Sequence, residues 1–377
     1  MIRTLWCVAL ALAYTVAACA QRPSLEVLGY AKNLGIRLTS SLTEKAHFLD
    51  IGRFRARGVL SAGGHVRAEV WLDTELLTGS YLQSADYAYA QTYGRPRPLH
   101  LEWTLGTGKS HEVRQRLFRA FVATESARAT LTVGRQRIAW GSGFAWNPTD
   151  VLNPFNPGAI ELGERAGADA AHLSVPLGPL SRLELVAAYM EAGAPSSYAV
   201  RAGTNYRAYD VTALAGRFRR DWMVGGDFAG YLQGAGIRGE AAYVWRDAAL
   251  NFLRAVLNTD YTFARGIYGL AELYYNGRGS ARKAEYDFAD LLTGDTFNLA
   301  QWYVAVSVAV SITPLVGAGL YQLANLNDGS MLVGPSITYS LSQSLEAAAA
   351  AYFFTGTSGS EYAAQQHVYF VTLQWYY

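Results

Sequence analysis

Arg53, Arg55 and Arg57 stand at alternate positions, so an extended chain sends all three guanidinium groups out from one face. Arg67 and Glu69, Arg114 and Arg116, Arg238 and Glu240 repeat the spacing, and Arg254 and Glu272 fall on similar polar faces. Such rows can do two kinds of chemistry. A row of unopposed arginines attracts anions and guides them along a wet channel. Arginines facing Glu69, Asp73, Glu112, Glu184, Glu240, Asp260 and Glu272 would instead brace a lumen by mutual neutralisation. The near-equal totals, 32 basic and 30 acidic residues, favour bracing for most of them. The Arg53, Arg55, Arg57 row remains the best candidate for an anion-attracting strip.

Covalent and metal chemistry is not patterned. The six histidines are scattered, without the H-x-x-x-H or H-E-x-x-H spacing of a metal hydrolase. There is no G-x-S-x-G elbow. Both cysteines, Cys7 and Cys19, lie in the first twenty residues. An enzyme is not expected, nor is a cofactor or a metal. A net charge of only +2 argues against a nucleic-acid partner.

The elements that must carry the charged rows are strands. In residues 304–311 a Val at each even position alternates with Ala or Ser, the period-two pattern of a strand with two unlike faces. Residues 66–73, 237–246 and 253–263 oppose bulky apolar side chains to charged ones in the same way. Three arginines on a lipid-facing row would each cost about 2–4 kcal/mol near mid-membrane, so the charged faces belong inside. Composition agrees. Charged residues make up 16% and apolar residues 51% of the 377, with 37 Gly, 25 Tyr, 15 Phe and 9 Trp. Yet no uninterrupted apolar run is long enough for a membrane helix. A chain apolar by alternation rather than by run is patterned as a transmembrane antiparallel up-and-down β-barrel, all-β in class.

Counting alternating segments gives about eighteen strands, with sixteen as the alternative because 197–205 and 210–219 are weakly patterned. Strands are expected over 127–139, 249–263 and 297–311 among others, and residues 99–105 form a candidate extra arm. With eighteen strands, the long segments 77–110, 140–167, 278–296 and 356–364 all fall at one rim, and short turns at the other. That is the parity an outer-membrane barrel requires, with long loops outside.

Met1 to Ala20 reads as a signal peptide. Arg3 opens it, Leu5 to Val16 is its apolar core, and Ala18-Cys19-Ala20 is its cleavage site. Lipidation at Cys19 is the alternative reading. Residues 21–377 then form a single barrel domain. At the other end Tyr369, Val371, Leu373, Trp375 and Tyr377 alternate with Phe370, Thr372, Gln374 and Tyr376.

Residues 134–141 read G-R-Q-R-I-A-W-G, and residues 147–157 read N-P-T-D-V-L-N-P-F-N-P. This resembles a strand and loop of porin-like outer-membrane barrels of Gram-negative bacteria, with the pattern G-R-Q-x-x-x-W-G followed by an N-P-x-D loop. The final strand resembles the C-terminal β-signal of such barrels, with Trp375 and Tyr377 as its aromatic residues, although Phe or Trp is the commoner last residue. The resemblance implies the outer membrane as location, its lipid and lipopolysaccharide as surroundings, and the barrel assembly machinery as a partner.

Pro148, Pro154 and Pro157 deny ladder donors, so the 140–167 segment must be a stiff loop. The expectation is an inward-folded constriction carrying Trp140, Trp146, Asn147, Asp150, Asn153 and Asn156. A cap packed on the rim is the bland reading, with the two tryptophans serving equally as interface anchors or as ligand contacts. The leading function is a channel for small polar or anionic solutes. The alternative is a plugged barrel that binds polysaccharide or scaffolds an envelope complex through 77–110 and 278–296, where Tyr81, Tyr87, Tyr89 and Tyr93 either stack on sugars or pack the loops. A conduit for hydrophobic molecules, thinned at Ala347 to Ala351, is a third. Monomer, homo-oligomer and hetero-complex stay open.

Overall fold

The computed structural model describes residues 23–40, 43–93, 101–153, 156–161, 167–189, 196–247, 249–292, 296–363 and 365–377, without the side chains of 90–93, 290 and 292. The signal-peptide reading of residues 1–20 therefore lies outside the described residues.

The strands are β1 (Ser24–Thr39), β2 (Ala46–Ala62), β3 (Val66–Thr78), β4 (Glu102–Thr107), β5 (His111–Glu125), β6 (Thr130–Gln136) and β7 (Ala168–Gly178). They continue as β8 (Ser181–Ala188), β9 (Ser197–Tyr206), β10 (Tyr209–Phe218), β11 (Asp221–Leu232), β12 (Ala235–Trp245) and β13 (Phe252–Thr262). The last six are β14 (Tyr268–Asn276), β15 (Trp302–Thr313), β16 (Val316–Asn325), β17 (Met331–Ser340), β18 (Leu345–Thr355) and β19 (Val368–Tyr376). A short helix, α1 (Ala85–Tyr93), sits in the first long connection and another, α2 (Phe288–Leu292), in the third.

Apart from β4, each strand pairs antiparallel with its neighbours in sequence, and β19 closes on β1 from Tyr30↔Tyr376 to Leu38↔Val368. The wall is thus a closed eighteen-stranded antiparallel barrel. The weakly patterned hairpin is present as β9 and β10, nine pairs long, so the sixteen-stranded count falls. Closure of β19 on β1 means that neither end of the wall is left as a free edge.

β4 is the arm anticipated near 99–105, and it pairs with β5 alone among the described residues. β3 occupies one edge of β5 over its whole length, and β6 takes only residues 120–125 of the other. β4 therefore lies on the upper part of that second edge, opposite residues 112–116. The reason is that β6 ends at Gln136, short of the expected 139. Gly134 has φ +124°, and a Cβ there would stand 2.3 Å from the Ala120 carbonyl oxygen. A chain so bent leaves the wall. Two other strands start later than expected, at Phe252 and Trp302.

The two faces of the wall differ as the alternation demands. Val133, Val200, Val224, Leu257, Leu273, Val308 and Val371 point outward and are exposed. Exposed rings mark both ends of that apolar band: Tyr198, Trp222, Trp245 and Trp302 near the long loops, and Tyr206, Tyr261, Phe263, Tyr339 and Trp375 near the short turns. Two such girdles are what headgroup levels select. The inner face carries the charges and, toward the long-loop rim, three apolar clusters.

At the β19–β1 seam Tyr377 stacks on Phe54, ring centroids 5.5 Å apart, and its hydroxyl donates to the Arg55 carbonyl at 2.9 Å. The ring passes over Gly29, where a Cβ would stand 2.3 Å from that hydroxyl.

Candidate functional site: a loop folded across the barrel interior

The segment after β6 turns inward. Gly134 makes the bend, and the residues beside it seal the gap. Arg135 donates to both carboxylate oxygens of Asp169 on β7, at 2.9 and 2.7 Å, and to the Leu117 carbonyl of β5 at 3.2 Å. Gln136 donates to the Ala170 carbonyl at 3.0 Å. The Arg135 side chain thereby serves a β5 carbonyl that a longer β6 would have taken. Ile138 and Trp140 are then buried among Ala168, Val186, Leu214, Met223 and Val244.

The loop next reaches the β12–β14 wall. Glu240 on β12 accepts the backbone amides of Ser142 at 2.9 Å, Gly143 at 3.2 Å and Thr149 at 2.5 Å, plus the Thr149 hydroxyl at 2.7 Å. Glu272 on β14 accepts those of Phe144 at 2.5 Å, Ala145 at 2.8 Å and Trp146 at 2.9 Å, plus the Asn258 side chain at 2.9 Å. A carboxylate that collects three amides holds a loop firmly, since each charge-assisted bond contributes about 1.5–3 kcal/mol. Gly141, at φ +88°, lets the chain approach: a Cβ there would stand 2.4 Å from Glu240.

Trp146 stacks on Tyr274 at 4.9 Å, and its indole donates to Asn298 at 3.0 Å. From there the loop follows the wall onward. Tyr321 donates to the Pro157 carbonyl at 3.1 Å and Tyr352 to that of Ala159 at 3.2 Å. Glu161 ends on Arg53, with two bonds at 2.9 and 2.8 Å, and on Lys32 at 2.9 Å. Against the cost of burial, Arg53 and then Lys32 hold the Glu161 carboxyl down to about 2. One connection thus touches β12–β14, β16, β18, β1 and β2.

The expected site residues fall as follows. Arg53, Arg55 and Arg57 do share one inward face, but each meets a carboxylate. Arg53 bonds Glu75 at 2.6 Å as well as Glu161, Arg55 bonds Asp73 at 2.6 and 2.7 Å, and Arg57 bonds Glu69 at 3.1 Å. The residual anion-attracting strip is therefore corrected to a braced row, because β3 places Glu75 opposite Arg53, Asp73 opposite Arg55 and Glu69 diagonal to Arg57. Arg67 pairs with Glu69, Arg116 with Asp73 at 3.2 Å and Glu75 at 3.3 Å, and Arg114 with Glu112 at 2.5 Å. Arg238 pairs with Asp260. Arg254 lies over the Phe252 ring at 4.8 Å and makes no ion pair among the described residues.

Glu240 and Glu272, expected as lumen charges, are loop anchors. Their oxygens are occupied by amides, and they are only 4% and 1% exposed. Trp140 and Trp146 are neither interface anchors nor open contacts, since both are buried under the loop. Asn147, Asp150, Asn153 and Asn156 fold the segment on itself. The Asn147 carbonyl accepts the Asp150 amide, Asp150 accepts the Asn153 amide, Asn153 donates to the Ile138 carbonyl at 2.6 Å, and Asn156 accepts the Gly158 amide. Trp375 lies in the outward girdle and Tyr377 at the seam.

In the first long connection Tyr81 and Tyr87 meet edge to face at 5.8 Å, and Tyr87 bonds Glu112 and Arg114 on β5. They pack the connection on the wall rather than on another loop; the Tyr93 side chain lies outside the described residues. Lys32, Asn258, Tyr321, Tyr352 and Glu161 were not anticipated. The polar face shared by Asn258 and Arg254 was a signal; nothing local marked Glu161.

A closed eighteen-stranded barrel with a connection folded through its interior is a porin-type architecture. The chain is similar in structure to OccK5 (OpdH) of Pseudomonas aeruginosa, with a TM-score of 0.62 and 8% identity, over 94% of this chain and 98% of that one. OccK8 (OprE) of the same organism matches over the same shares, at a TM-score of 0.58 and 9% identity. So does OccAB4 of Acinetobacter baumannii, at 0.57 and 8%. At such identities the likeness is one of fold. No family model matches the sequence, and no curated protein matches it.

Proposed function

We propose that the chain is an outer-membrane channel for small polar or anionic solutes, constricted by the 140–167 loop. The observation that carries this is the loop's path: anchored on Glu240 and Glu272, continued past Tyr321 and Tyr352, and fixed on Arg53. A connection held from both walls narrows a lumen whose remaining lining is charged, and eighteen strands leave room for water beside it. The outward girdles suit a bilayer, and the solved structures of this fold are outer-membrane porins. Residues 1–20 act as the export signal, and the strand ending at Tyr377 is the segment that the assembly machinery captures. The barrel works without a cofactor and carries no enzymatic activity.

The test is conductance of the purified barrel in a planar bilayer under a salt gradient, beside the double variant Glu240→Gln/Glu272→Gln. Small, stable steps from the wild type and larger, noisier ones from the variant are expected. Equal conductance in the two proteins overturns the role of the loop. The apolar clusters beneath the loop favour one second reading, a plugged barrel acting as an envelope scaffold. Silence from a folded wild type, with channels appearing only in the variant, would select it.

A further inference from the structure

Inside the barrel Arg53, Arg55, Arg57, Arg116, Arg201 and Arg238 each meet a carboxylate, whereas a group of three arginines at the long-loop end of one outer hairpin meets none among the described residues. Arg217 is an odd-numbered residue of β10, on the same outward face as Val211, Ala213 and Ala215, while Leu214 and Gly216 face inward and are buried. Arg219 and Arg220 form the turn to β11 and are exposed. None of the three makes an ion pair among the described residues. The acids nearby are Asp221 and Asp247. Asp221 is already engaged by the Asp247 amide at 3.2 Å and by Arg246 at 3.8 Å.

The setting is specific. Arg217 stands in register with Tyr198 on β9 and with Trp222 on β11, and Trp222 with Trp245 on β12. These rings are the outward girdle at the long-loop rim, each more than one-third exposed. Toward mid-membrane the same face continues as Val200, Ala215 and Val224, which stand side by side. An outward arginine at this level sits where headgroups lie, which costs far less than mid-membrane burial. Arg37 also faces outward near the long-loop rim, but it stands alone and lies over the Tyr369 ring at 5.6 Å, and the exposed Arg207 and Arg265 occupy separate turns at the opposite rim.

We propose that Arg217, Arg219 and Arg220 bind the phosphate of a phosphorylated glycolipid of the outer leaflet. Guanidinium groups match phosphate oxygens two at a time, and three on one hairpin end surround a single phosphate. The sugar rests against Trp222 and Tyr198, and the acyl chains run down the valine face. The inference rests on the outer-membrane reading above, since the long-loop rim must face the glycolipid leaflet.

The test uses the full barrel in detergent micelles and native mass spectrometry. Three probes are titrated: a bis-phosphorylated glucosamine disaccharide lipid, its dephosphorylated form, and phosphatidylglycerol. The wild type should retain the first, and affinity should fall about fivefold for each arginine removed in the series R217Q, R217Q/R219Q and R217Q/R219Q/R220Q. R207Q/R265Q should bind as the wild type does. Equal retention by the triple variant, or of the dephosphorylated lipid, overturns the proposal, as does equal binding of phosphatidylglycerol. Heat-modifiable migration reports folding for every variant, and R217Q alone serves if the triple variant does not fold. Cell fractionation of the wild type reports location separately. Glycolipid binding by a barrel found outside the outer membrane sinks the location alone. An outer-membrane barrel whose triple variant binds unchanged sinks the lipid site alone.

Discussion

Arg53, Arg55 and Arg57 are each held between a neighbouring strand's acid and the lumen, so their substitution does more than subtract positive charge. Arg53→Gln/Arg55→Gln/Arg57→Gln takes one cationic partner from each of Glu69, Asp73, Glu75 and Glu161, leaving Arg67, Arg116 and Lys32 to balance the four acids. The reversal potential in a salt gradient should therefore move toward cations. Asp73→Asn/Glu75→Gln should move it the other way, and the opposite sign in either case would show that these pairs do not border the conducting path. A different residue sets a pH response at the rim. Glu361, in the connection before β19, is 1% exposed and bonds the Tyr303 hydroxyl at 2.5 Å, the Asn325 side chain at 2.8 Å and the Leu299 amide at 3.2 Å. Burial pushes its carboxyl up to about 7, in spite of those bonds. Because the folded value is raised, the stability linked to this proton is fully present below the ordinary carboxylate value and is lost as pH rises through about 7. Proteolysis within residues 356–363 should accelerate as pH rises from 4.5 to about 7 and level off above it, and Glu361→Gln should flatten that profile.

At the scale of elements, the bend after β6 decides where the long loop goes. Gly134→Val would place a β-branched side chain at φ +124° against the Ala120 carbonyl, a backbone penalty of about 1–3 kcal/mol before any clash. A lower heat-modification temperature is expected, together with conductance resembling that of a loop-released barrel. An unchanged melting profile would mean that the bend is imposed from elsewhere. The strands themselves were legible because inside and outside differ in solvent, and period two writes that difference into residues such as Val304 to Val310. The inward faces of Arg53, Glu69 and Glu272 were legible for the same reason. The path of the loop was not. Its contacts join residues such as Arg53 and Glu161, 108 positions apart, and no local pattern encodes a meeting of that kind. Glu240 and Glu272 illustrate the limit: alternation placed them inside, but only the folded loop could show that their oxygens would meet amides rather than solute.

For the whole molecule, closure depends on one narrow joint. Tyr377 crosses Gly29 to reach the Arg55 carbonyl, and a side chain at position 29 would occupy the space of its ring. Gly29→Val should lower the yield of heat-modifiable barrel while leaving the other hairpins able to form, and Tyr377→Ala in the same background should restore part of it. Failure of the second change to help would place the defect in the β1–β2 ladder instead. The joint has a wider consequence. Every other wall pairing unites strands that follow closely in sequence, whereas β1 must wait for residues 368–376. Until they arrive, the sheet has two raw edges that other chains can capture. A wall lacking β19 would keep both edges bare, so the last strand is the one that turns an aggregation-prone sheet into an edgeless cylinder.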